Sequence, residues 1–110
     1  MTQIGEKDKM QKAKVKYSFE EDIFVARDLS KKYDSSFQLS EFIFDMDENK
    51  NILGVEILNA SKIFGIPKIF LKNMISGKLD IIVSEEFIQI KLQIKSKVRN
   101  EDKVTSLNIE

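Results

Sequence analysis

The sequence is informative first through the residue types it lacks. Cysteine, histidine and tryptophan are absent from its 110 residues, and proline occurs once. Without cysteine there is no disulfide, no thiolate metal site and no thiol nucleophile. Without histidine the commonest general base and the commonest metal ligand are also missing. The composition therefore favours a protein that is not an enzyme, and we expect neither a cofactor nor a bound metal.

Long apolar runs are also absent. No stretch reaches the length of a transmembrane helix, and the first sixteen residues are too polar for a secretory signal. We therefore expect a cytoplasmic protein that does not contact a membrane.

The formal net charge is zero, but the charges are unevenly distributed. Residues 1–17 contain five lysines and two acids, whereas residues 18–48 contain nine acids and three basic residues. An acidic middle with a basic flank favours a charged partner, and an ordinary polar surface is the alternative interpretation.

The periodicity of the apolar residues predicts an antiparallel sheet of about six or seven strands. Residues 59–76 predict one broken helical segment, in which Gly65 ends the first helix, Pro67 begins the second and Gly77 follows the last turn. The fold class is therefore α+β. Residues 1–12 lack apolar periodicity and predict a disordered arm, and residues 13–110 predict a single domain. The predicted strands are 13–19, 23–26, 37–44, 52–58, 79–83, 87–98 and 104–109.

Two short motifs carry a resemblance to a known family. The first is V-x-Y-x-x-E-x-D, formed by Val15, Tyr17, Glu20 and Asp22, and the second is the segment LGVEILNAS at residues 53–61. In this order and spacing they resemble a family of small uncharacterised prokaryotic domains known as domain of unknown function 2283, over residues 15–62. The resemblance implies a small sheet packed on a helix and no established activity. Some relatives look like partners of toxin-type proteins, which implies a protein partner.

An acidic loop has the side-chain spacing of a calcium-binding EF-hand. Positions 1, 3, 5, 7 and 12 of that pattern are occupied by Asp45, Asp47, Asn49, Asn51 and Glu56. Position 6, which requires glycine, is Lys50, and the flanking segments read as strands instead of helices. A solvated hairpin turn is therefore the favoured interpretation, and Asp45, Asp47, Asn49 and Glu56 stay weak candidates for a metal site.

The strand predicted at 87–98 offers two possible surfaces. One face carries an apolar stripe, which would be available for a second copy or a partner protein if this strand were a sheet edge. The other face carries lysines, and a β-ribbon of this kind can bind DNA. An ordinary solvent-facing sheet surface explains the lysines equally well. The apolar candidates are Ile88, Ile90, Leu92 and Ile94, and the basic candidates are Lys91, Lys95 and Lys97.

Three hypotheses about function follow from these patterns. The first is a non-enzymatic interaction module that forms a homodimer or neutralises a toxin-like protein. The second is a small nucleic-acid-binding protein that uses the lysine stripe. The third, and weakest, is a carboxylate metal site in the acidic loop.

Overall fold

The computed structural model describes residues 10–109 and contains eight antiparallel strands and two short helices, so the fold is mostly β. The antiparallel sheet agrees with the sequence prediction, but it has eight strands instead of six or seven. In chain order the elements are β1 (Gln11–Ser18), β2 (Ile23–Arg27), β3 (Ser35–Leu39), β4 (Phe42–Met46), β5 (Ile52–Ile57), α1 (Ala60–Phe64), α2 (Lys68–Lys72), β6 (Met74–Val83), β7 (Ile88–Val98) and β8 (Glu101–Ile109).

The strands follow the spatial order β3-β4-β5-β2-β1-β6-β7-β8. Strand β1 joins two halves of this sheet, because residues 14–18 pair with β2 and residues 11–13 pair with β6. The open ends of the order are β3 and β8. These two strands are therefore the edges of the described sheet.

A single hydrophobic core lies between the two halves and the helices. Alternate residues of β2 and β5, such as Phe24 and Ile57, are fully buried, and the apolar stripe of β7 is buried with them. Phe64 of α1 packs edge-on against Phe24, with ring centroids 5.1 Å apart. The period-2 patterns of the sequence therefore identify the core faces of the strands correctly.

The predicted strand at 37–44 is wrong in one respect, because the chain reverses inside it. Residues Phe37 and Phe44 lie opposite each other in the β3–β4 hairpin, and the turn at Ser40 has a positive φ of 57°. No glycine or proline marks this turn. The alternating and then continuous apolar pattern therefore predicts one strand, whereas the chain forms two.

The predicted end of the helical segment is also wrong. Gly65 ends α1 in the left-handed conformation, as expected, and Pro67 caps α2 one position earlier than predicted. Residues 74–78, however, belong to strand β6, so Gly77 does not follow a helix. A side chain at Gly77 would collide with Val15 of β1. This glycine is therefore required for the close approach of two strands.

Two strands begin earlier than predicted. Strand β8 begins at Glu101, because the chain reverses within two residues, Arg99 and Asn100. Strand β1 begins at Gln11, inside the segment predicted to be a disordered arm. The rest of that predicted arm, residues 1–9, lies outside the described residues.

Candidate interaction surface

The apolar stripe of β7 does not form an exposed surface. Strand β7 pairs with β6 on one side and with β8 on the other, so it is not a sheet edge. Ile90 and Ile94 are fully buried, Leu92 is 2% exposed, and Ile88 packs against the same core. The expectation that these residues form a docking surface is therefore wrong, because they belong to the core. The edge of the described sheet on this side is the next strand, β8.

The free edge of β8 has a defined hydrogen-bonding pattern. Arg99 and Asn100 both have positive φ, which is the type I′ geometry of a two-residue hairpin loop. In such a hairpin the flanking pair, Val98 and Glu101, is hydrogen-bonded, and every second pair after it is hydrogen-bonded too. The intervening residues direct their backbone N–H and C=O groups away from β7. They are Asp102, Val104, Ser106 and Asn108.

Over residues 104–109 this edge lacks the features that usually prevent strand addition. The nine residue pairs between β7 and β8 show no shift of register, so the edge is regular. Residues 104–109 contain neither a charged residue nor proline, and Val104 is 56% exposed. The other edge, β3, has five residues, whereas β8 has nine. Strand β8 is therefore the better platform for a further strand.

A charged network covers the outer side of β2, β4 and β5. Arg27 of β2 crosses Gly54 of β5 and donates from Nε to the buried Asp45 of β4, at 3.0 Å. Its Nη2 lies 3.3 Å from Glu56 Oε2, and its guanidinium stacks 4.8 Å from the centroid of the Tyr33 ring. One cation therefore connects the three strands. It lies in the space that is open because residue 54 is a glycine.

Asp45 has no solvent exposure and depends on these partners. Its second carboxylate oxygen accepts a hydrogen bond from Ser36 Oγ at 2.8 Å. Burial, together with the neighbouring Asp45, raises the pKa of Glu56, although Arg27 opposes this change. The two acids therefore share one cation, which connects β2, β4 and β5. We call these three residues, Arg27, Asp45 and Glu56, the Arg27 network.

The acidic loop does not bring its candidate ligands together. Asp45 and Glu56 meet at Arg27, whereas one oxygen of Asp47 accepts the backbone N–H groups of Asn49 and Asn51, both at 2.9 Å. Across residues 10–109, no three acidic side chains converge in a way that could hold a metal ion. The loop has the geometry of an Asx-stabilised hairpin turn.

A second polar network joins the two motifs of the family resemblance. It is formed by Tyr17, Asp22 and Ser61, and we call it the Asp22 network. Asp22 accepts hydrogen bonds from the Tyr17 hydroxyl at 2.6 Å, from the Ser61 backbone N–H at 3.0 Å and from the Ser61 hydroxyl at 2.7 Å. Asn59, the residue before α1, makes no side-chain cap. The helix is therefore capped by a carboxylate from the β1–β2 turn, 39 positions away in sequence.

The Asp22 network predicts a specific dependence of stability on pH. Burial would raise the pKa of Asp22, but the hydrogen bonds from Tyr17 and Ser61 lower it below its ordinary value. An acid with a lowered pKa stabilises the fold above the pKa of the unfolded chain, and this contribution is lost as the pH falls through the folded value.

We therefore expect D22N to have a lower free energy of unfolding than the wild type at neutral pH. This difference in free energy should become smaller below about pH 4. Chemical denaturation at a series of pH values measures this difference. The variant D34N, at an exposed aspartate, controls for the change in net charge. A difference independent of pH would contradict the assigned role of the carboxylate.

The lysines predicted on β7 do lie on the outer side of the sheet. Lys95 and Lys97 are exposed, and Lys91 is half-buried. Asp102 of β8 lies 3.3 Å from the Lys95 ammonium and 3.8 Å from that of Lys97. The structure thus brings these lysines to one accessible surface.

Within the described part of the chain, no helix has the length and apolar character needed to cross a membrane.

Comparison with known proteins agrees with the two motifs. The family described as "Protein of unknown function (DUF2283)" matches residues 14–61, the segment that contains both the Arg27 network and the Asp22 network. An uncharacterized protein of Methanocaldococcus jannaschii is 30% identical over 103 residues, which cover 88% of this chain and 89% of that protein. A protein of Methanosarcina mazei named "Putative hypoxanthine phosphoribosyltransferase" is 37% identical over 87 residues, which cover 79% of this chain and 71% of that protein. No solved structure matches the chain. The chain belongs to the DUF2283 family of proteins of unknown function.

Proposed function

We propose that this protein is a non-enzymatic interaction module that binds an extended strand along β8, and that the strand is β8 of a second copy. The observation that carries this proposal is the regular, uncharged edge at residues 104–109. Antiparallel strand addition pairs the free backbone groups of such an edge and removes it from solvent.

Self-pairing is compatible with the charges on β8. If the two-fold axis passes through Thr105, Val104 of one copy lies opposite Ser106 of the other. Lys103 then lies opposite Leu107, and Asp102 lies opposite Asn108. In this register no side chain of β8 directly faces one of the same charge. The buried Thr105 hydroxyl, which has no hydrogen-bond partner among the described residues, also lies on this edge strand.

An enzymatic role has less support. The name of the Methanosarcina mazei relative refers to phosphoribosyl transfer, which requires binding of phosphate groups. Glycine-rich loops that lead into helices commonly bind phosphate, but the four glycines of this chain are isolated and both helices have five residues. We therefore do not extend that activity to this chain.

The proposal predicts that S106P is monomeric. The Ser106 N–H points away from β7, so proline removes a donor from the free edge without removing a bond to β7. We expect the wild type and S106A, which keeps the N–H, to sediment at twice the 12.8 kDa of one chain. We expect S106P to sediment as one chain with an unchanged circular dichroism spectrum.

Two outcomes would contradict this proposal. One is a monomeric wild type at micromolar concentration, which would leave the edge open to a different protein, such as a toxin-like partner. The other is a folded S106P that remains dimeric, because the contact would then lie elsewhere on the surface.

A further inference from the structure

A large basic surface lies on the outer side of β1, β6 and β7. The outward residues of these strands alternate with buried or half-buried core residues such as Ala13, Leu79 and Leu92. Register aligns the lysines across strands, with Lys12 opposite Lys78. We name this surface the lysine face, and its members are Lys12, Lys14, Lys16, Lys78, Lys91, Lys95 and Lys97.

The charge of this face is strongly unbalanced, although the whole chain is neutral. On the outward side of β1, β6, β7 and β8, these seven lysines are accompanied by two acids, Asp80 and Asp102. Asp80 lies opposite Lys91, and Asp102 contacts Lys95 and Lys97. The outward side chains of these four described strands therefore carry a formal net charge of five positive units, which favours a polyanionic ligand.

The polar uncharged residues of the face indicate which polyanion it fits. Gln89, Gln93, Ser106 and Asn108 lie between or beside the lysines, and amide and hydroxyl groups of this kind commonly contact phosphates and sugars. No aromatic side chain lies on the outward side of these described strands, so unpaired bases would have no stacking platform. This combination fits the backbone of a duplex better than a single strand.

The dimensions agree with a duplex as well. Same-side residues of a strand are about 6.6 Å apart, so Lys91 and Lys97 are separated by about 20 Å along β7. Each charge of a duplex occupies about 1.7 Å of its axis when both strands are counted, so a duplex of this length contains about twelve phosphates, and those on one side face the protein. We propose that the lysine face binds the phosphate backbone of double-stranded nucleic acid without reading its sequence.

The proposal is tested by fluorescence anisotropy with labelled 20-base-pair DNA and RNA duplexes of arbitrary sequence, and with a single strand of equal length. If about four phosphates are contacted, the logarithm of the association constant falls with that of the salt concentration with a slope of about −4. The triple variant K91Q/K95Q/K97Q should lose at least tenfold in affinity. The matched variant K31Q/K32Q/K50Q, with the same change in charge on exposed loop lysines, should retain most of it.

A gain-of-binding variant makes the test independent of folding. D102N releases Lys95 and Lys97 and should raise duplex affinity several-fold, whereas D34N should have a smaller effect. The DNA and RNA arms distinguish the two sources of the shared phosphate backbone. The proposal is overturned if the wild type does not bind a duplex at low salt, if both triple variants lose affinity equally, or if the single strand binds more tightly than the duplexes.

This inference does not depend on the dimer. The substitutions at Lys91, Lys95 and Lys97 leave the backbone groups of β8 intact, and S106P leaves the lysines intact. Failure of one proposal therefore does not imply failure of the other.

Discussion

Adding a single methyl group at Gly54 is expected to destabilise the protein by about 3 kcal/mol. A Cβ at this position would lie against the carbonyl oxygen of Ala26, 2.7 Å from Cγ of Arg27 and 3.0 Å from its Cα. Backbone atoms of a central strand cannot move away without disturbing the β2–β5 pairing. The displaced Arg27 would also lose its contact with Asp45, so packing and electrostatics both oppose the substitution.

The measurement is thermal or chemical unfolding of G54A. A loss of this size lowers the melting temperature by about 15 °C in a domain of this length. The control is G65A, because no atom lies within 4 Å of a Cβ added there and its cost is limited to the positive φ of 71°, about 1 kcal/mol. If G54A were no less stable than G65A, Gly54 would not be needed for the crossing of Arg27.

Removal of the cation itself is expected to cost as much or more. R27M keeps much of the side-chain volume but removes the Arg27 guanidinium from Asp45, which has no solvent exposure and then keeps the hydrogen bond from Ser36 Oγ. Breaking a buried ion pair from one side typically costs about 3–5 kcal/mol, because the other charge stays buried without compensation.

A double-mutant cycle separates this effect from lost packing. We expect D45N to restore part of the stability of R27M, because the neutral amide no longer needs a cation. The comparison variant is K95M, which breaks the exposed pair with Asp102 and should cost less than about 1 kcal/mol. Equal losses for R27M and K95M would mean that the network contributes no more than an ordinary surface ion pair.

The sequence predicts much of this sheet because half-buried strands carry a period-2 pattern. The alternation at β1 and β7 identifies their core faces, and the positive-φ requirement at the end of α1 identifies Gly65. These features depend on neighbouring residues alone. They can therefore be recognised without knowledge of the fold.

The errors arise where the outcome depends on distant residues. Gly77 has the spacing of a helix-ending glycine, but Val15, 62 positions earlier, requires it in a strand. The stripe on β7 reads as a possible edge, because the strand predicted at 104–109 covers one side only and the sequence does not show that β6 pairs along the other. The turn at Ser40 carries no glycine or proline, so the sequence predicts one strand where the structure has two.

Neither the Arg27 network nor the Asp22 network is predicted from the sequence, because each depends on residues that are distant in the chain. Arg27 is the last residue of β2, one position beyond the predicted strand at 23–26, and its acidic partners come from two other strands. The glycine at position 54 was the available signal, since glycine inside a strand often marks a close approach. The acidic loop shows the opposite case, in which correct spacing for calcium ligands coincides with side chains that turn to different partners.

Hydrogen exchange of the β8 backbone tests the central claim most directly. The amides of Lys103 and Thr105 bond to β7 and should be protected in any folded form, so they serve as internal references. The amides of Val104 and Ser106 point to the free edge and are protected only when another strand is paired there. We predict that they exchange as slowly as the references at concentrations where the wild type sediments as a dimer, and rapidly in S106P at Val104. Rapid exchange of Val104 and Ser106 in the wild type under those conditions would contradict strand pairing along β8.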